Sequence, residues 1–231
     1  MARQYQAGQL TDMKRTLQRA LGPLMFLTLP AAIGLFAFRV SIVQVIFQFG
    51  SFSAESTAMV AEAVGYFAIG LMARAVVEAF TRTYYAMRDT RTPLYVSFVA
   101  VLANIPLSWL LASRLGHGDL ALSLSITYTF RMLVILALLV HRTGGPSVGF
   151  VRSVSRMLIA GAVMGAAALA VAGPLARFTD PADGRSVWMF AGFAAALGGL
   201  AALYLVTAHV LRIPELARFT GILQHRLERF R

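Results

Sequence analysis

The sequence predicts an all-α membrane protein, a polytopic bundle of six transmembrane helices. Hydrophobic residues make up 58% of the 231 positions and charged residues 13%, so the polar surface is too small to enclose a soluble globule of this size. Six successive apolar stretches each meet the requirement of about 20 residues for a helix across the hydrocarbon core. The basic residues between them fall on alternate loops, a pattern typical of a chain that crosses a membrane repeatedly.

The elements follow from hydropathy and helical spacing. Residues 1–20 are polar, but Met13, Leu17 and Leu21 recur at helical spacing, which predicts a short amphipathic helix leading into the membrane. The predicted spans are 21–47, 57–83, 93–113, 120–140, 154–173 and 187–211. Gly161 and Gly165 form a GxxxG pair in the fifth span, which favours close packing of the last two spans as a hairpin.

The Lys and Arg residues between the spans and at their ends indicate the orientation. One set of alternating segments holds fifteen of them: Arg3, Lys14, Arg15, Arg19, Arg82, Arg88, Arg91, Arg142, Arg152, Arg156, Arg212, Arg218, Arg226, Arg229 and Arg231. The other three loops hold Arg114, Arg177 and Arg185. The positive-inside bias therefore places both termini in the cytoplasm. Aromatic belts are expected at Trp109 and Trp188 outside, and at Tyr84, Tyr85 and Tyr95 inside.

Charged side chains inside the spans are the candidate functional residues. Arg74, Glu78 and Arg82 are spaced four apart and share one helical face. An ionised group near the bilayer centre costs at least about 2.5 kcal/mol, so this face should point toward protein or water. It either lines a cavity for an anionic substrate or ties the helix to a neighbour. Arg131 in the fourth span could join the same cavity.

Asn104 and Ser108 lie one turn apart in the third span. Their oxygens could bind a small cation, or their side chains could form hydrogen bonds between helices, which is the more common use of such residues.

Several function classes are disfavoured. The sequence has no HExxH, GxSxG or phosphate-binding glycine loop, so we expect no enzyme. It has no cysteine, which excludes disulfides and thiolate metal sites. The net charge of +11 is carried beside apolar runs rather than on a basic surface, so nucleic-acid binding is not expected.

One loop resembles a known family. Residues 82–93 read RTYYAMRDTRTP, similar to the (F/Y)YA-x-x-DT(R/K)TP segment of the MurJ (MviN) proteins, the lipid II flippases of bacterial cell-wall synthesis. LPAAIGL at 29–35, FQFGSF at 47–52 and LGHGDLALS at 115–123 resemble further segments of that family. Within this motif, Asp89, Thr90, Arg91 and Pro93 would occupy a cytoplasmic loop that is either structural or a gate contact. Asp89 can cap the following helix and Pro93 can start it.

The resemblance implies a fourteen-helix transporter of the MOP exporter superfamily, built from two six-helix lobes and two further helices that form a groove for the polyprenyl tail. This chain would correspond to the last six helices: a lead-in at 1–20, part of the second lobe at 21–145, the two-helix groove at 146–211 and a basic cytoplasmic tail at 212–231. The N-terminal lobe would be a missing partner.

The same resemblance implies the site. Arg74, Glu78 and Arg131 would face the cavity, and Asn104 and Ser108 fall in a helix that contributes to a sodium site in some relatives. Those relatives have an aspartate where Ser108 stands. The expected function is movement of lipid II from the inner to the outer leaflet of the bacterial plasma membrane by alternating access. It would be driven by Na⁺ or the membrane potential, without a cofactor. The alternatives are another polysaccharide-lipid or multidrug exporter of the superfamily, or a split structural subunit.

Overall fold

The chain folds into a helical bundle, seen in a computed structural model that describes residues 10–48, 52–115, 118–180 and 187–217. Its main helices are α1 (Leu10–Ala37), α2 (Arg39–Phe47), α3 (Ala54–Ala86), α4 (Arg91–Leu115), α5 (Asp119–Thr143), α6 (Val148–Phe178) and α7 (Val187–Val210). Among the described residues, six helices are long and apolar enough to cross a membrane. The predicted fold class is confirmed. Residues 1–9 and 218–231 of the predicted end segments lie outside the described ranges.

Helix α1 joins the predicted lead-in to the first span without a break. Met13, Leu17 and Leu21 are buried, as their spacing predicts, and they pack against α3 and α5. Further along α1, Phe26 and Ala37 pack against α6 and α7 in a second apolar cluster. Because one helix supplies both clusters, α1 holds the two halves of the bundle together.

The first span was predicted as one helix over 21–47, and that prediction is wrong at Phe38. Helix α1 ends at Ala37 and α2 begins at Arg39. Arg39 Nη1 donates to the carbonyl of Phe36 at 2.8 Å, and its guanidinium lies 5.0 Å from the Phe36 ring centroid. The turn at Phe38 lets the Arg39 side chain reach a backbone carbonyl within an otherwise apolar stretch. A hydropathy profile contains no information about such a hydrogen bond.

The glycine pair of the fifth span packs on a different partner from the predicted one. A Cβ on Gly161 would lie 2.9 Å from Leu29 Cδ2 and 3.1 Å from Ile33 Cδ1, so this face of α6 approaches α1. Helices α6 and α7 contact each other as a hairpin, and Gly192 of α7 lies close against the Phe178 ring of α6, whereas Gly198 and Gly199 have no neighbour within 4 Å of an added Cβ among the described residues. The small-residue face therefore serves the α1–α6 contact.

Candidate functional site

Three of the charged residues of α3, Arg74, Glu78 and Arg82, lie on an exposed face. Glu78 Oε1 accepts hydrogen bonds from Arg82 Nε and Nη2, both at 3.3 Å, and the two side chains are 64% and 77% exposed. An ion pair this exposed contributes little to stability, about 0–1 kcal/mol. Because the pair lies within one helix, it does not tie α3 to a neighbour.

Arg74 makes a different contact, one turn closer to the middle of the span. Its guanidinium lies 5.6 Å from the ring centroid of Tyr128 on α5, a distance typical of a cation–π interaction. The residue is exposed overall, so the donors of the guanidinium remain accessible. Arg74 is thus held by an aromatic face instead of by Glu78, and its charge is not neutralised by a carboxylate in the described structure.

Helices α3 and α5 run in the same direction, so the contacts between them show where Arg131 lies along the bundle. Ser125 Oγ donates to the carbonyl of Tyr66 at 2.6 Å, whereas Arg74 meets Tyr128 further along both helices. Arg131 follows Tyr128 by three residues and lies on the same side of α5. Its Nε is enclosed and has no hydrogen-bond partner among the described residues. A buried donor left in this state costs about 1–3 kcal/mol.

Asn104 and Ser108 form a polar seam between α4 and α5. Asn104 Nδ2 donates to Thr127 Oγ1 at 2.8 Å, and Ser108 Oγ and Ser123 Oγ are 2.8 Å apart. Ser108 Oγ also lies 3.3 Å from Asn104 Oδ1. These contacts match the interhelical alternative from the sequence. In the described part of the chain, no cluster of three or more His, Cys, Asp or Glu residues could hold a metal ion.

The motif loop is organised by Asp89, which caps α4 as predicted. Its Oδ1 accepts from the backbone N–H of Thr92 at 2.9 Å and its Oδ2 from the Thr92 hydroxyl at 2.7 Å. Pro93 is fully buried in the first turn of α4, while Thr90 and Arg91 are exposed. A side-chain acceptor at this position satisfies a free N–H of the helix start, and the proline lacks the donor that such a position leaves unpaired.

Arg142, at the end of α5, completes the loop. Its Nη1 pairs with Asp89 Oδ2 and its Nη2 donates to Thr92 Oγ1 at 3.2 Å. The guanidinium also lies 5.5 Å from the ring centroid of Tyr84. The backbone N–H of Thr92, together with its hydroxyl and Arg142, lowers the pKa of Asp89 to about 2. Asp89 is therefore ionised at neutral pH and links the start of α4 to the end of α5.

The burial of two residues was not predicted from the sequence. Tyr84, expected in an inner aromatic belt, is completely buried in the apolar cluster that includes Met13 and Leu139, and Arg142 lies against its ring. Glu215 belongs to the predicted basic tail, yet it is 4% exposed and accepts a hydrogen bond from Ser153 Oγ. A Cβ on Gly22 would lie 2.6 Å from its Oε1. Tyr84 continues the buried helical face of Val77 and Phe80, a spacing that could have indicated its burial, whereas Glu215 belongs to no such pattern.

Comparisons with known proteins extend over most of the chain. The family model described as "Lipid II flippase MurJ" matches residues 1–178. A probable lipid II flippase MurJ of Rhizobium meliloti is 32% identical over 168 residues, covering 72% of this chain and 31% of that protein. The corresponding protein of Thermotoga maritima is 28% identical over 162 residues, covering 70% and 33%. The chain thus spans about a third of the length of these curated relatives.

A solved structure shares the fold. The chain superposes on "Lipid II flippase MurJ, inward closed conformation" with a TM-score of 0.67 and 20% sequence identity. The superposition covers 90% of this chain and 41% of that one. The helical arrangement described above therefore matches part of a larger bundle.

Proposed function

This chain belongs to the MurJ family of lipid II flippases, and we propose that it supplies one side of a cavity through which lipid II crosses the membrane by alternating access. The family is one of transporters rather than catalysts, and the chain is a multi-pass membrane protein. We also infer that this chain performs no catalytic step and that its substrate is the polyprenyl-pyrophosphate-linked sugar of peptidoglycan synthesis.

The contact between Arg74 and Tyr128 carries the proposal. It lies well inside two apolar spans, where a charge exposed to lipid costs at least about 2.5 kcal/mol. The guanidinium is nevertheless accessible and has no carboxylate partner in the described structure. An arginine in this state suits an anionic headgroup that visits the site temporarily. Arg131, on the same side of α5 as Tyr128, would add a second guanidinium to this region.

Glu78 and Arg82 would continue the polar path toward one membrane surface. Their mutual hydrogen bonds are 3.3 Å long and exposed, so little free energy is lost when the pair separates. Arg82 could therefore exchange Glu78 for a phosphate oxygen of the substrate as the headgroup passes. This exchange would let the end of the path at Glu78 and Arg82 change its hydrogen-bond partners as the headgroup passes.

No part of the described structure shields the charged face of α3 from lipid. Arg74, Glu78 and Arg82 are exposed, and lipid would be an unfavourable neighbour for all three. The proposal therefore includes a partner segment, equivalent to the remaining helices of the longer relatives, that closes the cavity. Membrane lipids would contact the apolar outer surface, including the 65% exposed Tyr95 and the 80% exposed Trp109.

Coupling to Na⁺ would involve Asn104 and Ser108. Their contacts with Thr127 and Ser123 would have to rearrange before their oxygens could bind a cation. If Na⁺ is the driving ion, Asn104→Ala should remove the sodium dependence of transport. If the membrane potential drives transport, Asn104→Ala should leave the dependence on potential unchanged.

Rescue of growth tests the proposed function. The chain would be expressed in bacteria depleted of their own lipid II flippase, alone and together with a segment that encodes the remaining helices of a MurJ relative. We expect growth and outer-leaflet lipid II to return when both parts are present. Proper membrane insertion of both parts without any recovery of outer-leaflet lipid II would contradict the proposal and favour a purely structural subunit.

A further inference from the structure

A second, mainly apolar site lies on the other side of α3 from the charged face. It is a groove of about 400 Å³ between α1, α3, α5 and α6, within the range of about 300–1,000 Å³ typical of small-molecule sites. Met72 and Val76 line it from α3. Residues two apart on a helix point about 200° apart, so Arg74 and Glu78 lie away from this groove.

Apolar side chains from all four helices form the walls of the groove. They include Leu21, Met25, Met72, Phe80, Met132, Leu136, Phe150 and Leu158. Such a lining suits a hydrocarbon chain, which would be held by van der Waals packing because it enters the groove from lipid and not from water. The exposed residues Leu136 and Leu158 lie at its rim, where the groove opens to the surface of the bundle.

Lys14 alone is charged among the lining residues, and it marks the mouth of the groove. Its Nζ would lie 3.5 Å from a Cβ on Gly144, so the ammonium sits beside the turn that follows α5. Gly144 has a φ of 78°, a conformation that glycine adopts at little cost. Within the described ranges, the Lys14 ammonium has neither a carboxylate partner nor a hydrogen-bond acceptor; Asp12 pairs with Arg15 instead.

The position of this ammonium indicates the class of ligand. Lys14 precedes the apolar part of α1, and Gly144 follows the end of α5, so the mouth lies at one end of two adjacent spans. Basic side chains at the mouths of grooves between transmembrane helices attract anionic lipid headgroups. A single ammonium matches the single negative charge of a phosphodiester.

We propose that this groove binds one acyl chain of an anionic glycerophospholipid whose phosphate lies on the Lys14 ammonium. The site is separate from the charged face, so it does not depend on the proposed transport function. A bound lipid of this kind would fill the space between α3 and α6 and strengthen the contact of both with α1.

Photolabelling of the purified full chain tests the site. The probe is phosphatidylglycerol with a diazirine near the end of one acyl chain, and the labelled peptides are identified by mass spectrometry. We expect label on the peptides that contain Met72 and Met132. Unlabelled phosphatidylglycerol should compete about fivefold better than phosphatidylcholine with the same acyl chains, the ratio that corresponds to about 1 kcal/mol for one lysine.

Two matched pairs of variants locate the interaction. Lys14→Ala should remove the preference for phosphatidylglycerol, whereas Arg15→Ala should keep it. Leu136→Trp should block labelling of both methionine peptides, whereas Leu133→Trp, on the same helix but outside the lining, should not. Melting temperatures of all four variants show whether the bundle is intact.

Four results would overturn the proposal. The first is equal competition by phosphatidylglycerol and phosphatidylcholine, and the second is an unchanged preference in a folded Lys14→Ala variant. The third is stronger competition by a polyprenyl phosphate, which would assign the groove to a polyprenyl lipid. Absence of label from both methionine peptides would equally reject a bound acyl chain.

Discussion

Single residues show how this bundle keeps charge inside an apolar sequence. Arg39 uses a backbone carbonyl and the Phe36 ring, Arg74 uses the Tyr128 ring, and Arg142 uses Asp89 and the Tyr84 ring. Aromatic faces thus accompany each of these guanidinium groups. A ring offers attraction without a fixed counter-charge, so Arg74 remains available to an anion in a way that the paired Arg142 does not.

Substitution of Arg74 tests its proposed role. Arg74→Ala should reduce transport at least tenfold in a complete transporter assembled from this chain, because it removes the guanidinium from mid-membrane depth. Arg74→Lys should retain part of the activity, since it keeps the charge but loses the planar contact with Tyr128. The readout is lipid II movement in proteoliposomes.

A second exposed arginine provides the control for that substitution. Arg19 is exposed near the start of α1, outside the proposed cavity, and Arg19→Ala should leave transport unchanged. Because Arg74 is exposed, Arg74→Ala should shift the free energy of unfolding by less than about 0.5 kcal/mol. Unchanged transport in folded Arg74→Ala would remove this residue from the site.

Asp89 gives a prediction about pH. Its folded-state pKa of about 2 lies below the value of about 3.9 expected in the unfolded chain. The stabilisation is therefore complete above about pH 4 and is lost as the pH falls toward 2. Asp89→Asn should lower the free energy of unfolding by about 1–2 kcal/mol at pH 7, because the amide keeps the cap but loses the charge.

The pH dependence separates this effect from general damage to the fold. Thermal unfolding in detergent, followed by circular dichroism, should show the wild type and Asp89→Asn converging between about pH 4 and pH 2. Asp12→Asn serves as the control, since Asp12 is 49% exposed and pairs with Arg15 at 3.7 Å. A difference that stays constant down to pH 2 would mean that the carboxylate charge is not the cause.

At the scale of helices, close approach depends on particular glycines. A Cβ on Gly70 would lie 2.8 Å from Ser125 Cα, a backbone atom that cannot move without shifting α5. Gly70→Ala should therefore destabilise the bundle by about 1–3 kcal/mol. Gly34→Ala is the matched control: its Cβ meets no described atom within 4 Å, so it should stabilise α1 by up to about 1 kcal/mol. Unfolding midpoints in detergent report both values.

Hydropathy predicted the six spans because the bilayer imposes length and apolar composition on each helix separately. Hydropathy did not predict which helices pack against each other. Gly161 was recognised as a contact residue, but a small side chain indicates only that some helix comes close, and that helix is α1. The capping by Asp89 was predictable because it is local, whereas its pairing with Arg142 depends on how α4 and α5 meet.

For the molecule as a whole, the orientation remains a prediction that substituted cysteines can test. The sequence has no native cysteine, so single replacements need no prior removal. Ala54 and Thr90 are exposed at opposite ends of the α3 region. In intact cells, Ala54→Cys should react with a membrane-impermeant maleimide, and Thr90→Cys should react only after the membrane is opened. The reverse pattern would place the termini outside.

The exposed charged face is the whole-molecule feature that most needs explanation. Large apolar side chains such as Phe98, Ile105 and Leu94 are 60–67% exposed and suit lipid, but Arg74, Glu78 and Arg82 do not. The bundle thus has a surface for lipid and a surface for something polar. That division fits one wall of a transporter cavity, and the relatives of threefold greater length favour the same interpretation.

The most direct measurement is leaflet transfer of fluorescent lipid II in proteoliposomes that contain this chain with a segment supplying the remaining helices. We expect transfer that requires both parts, falls with Arg74→Ala, and is competed by unlabelled lipid II more strongly than by an unrelated lipid-linked oligosaccharide or a cationic drug. Transfer that those other cargoes compete equally well would point to a different exporter of the superfamily. Absence of transfer from a correctly inserted pair would contradict the proposed cavity.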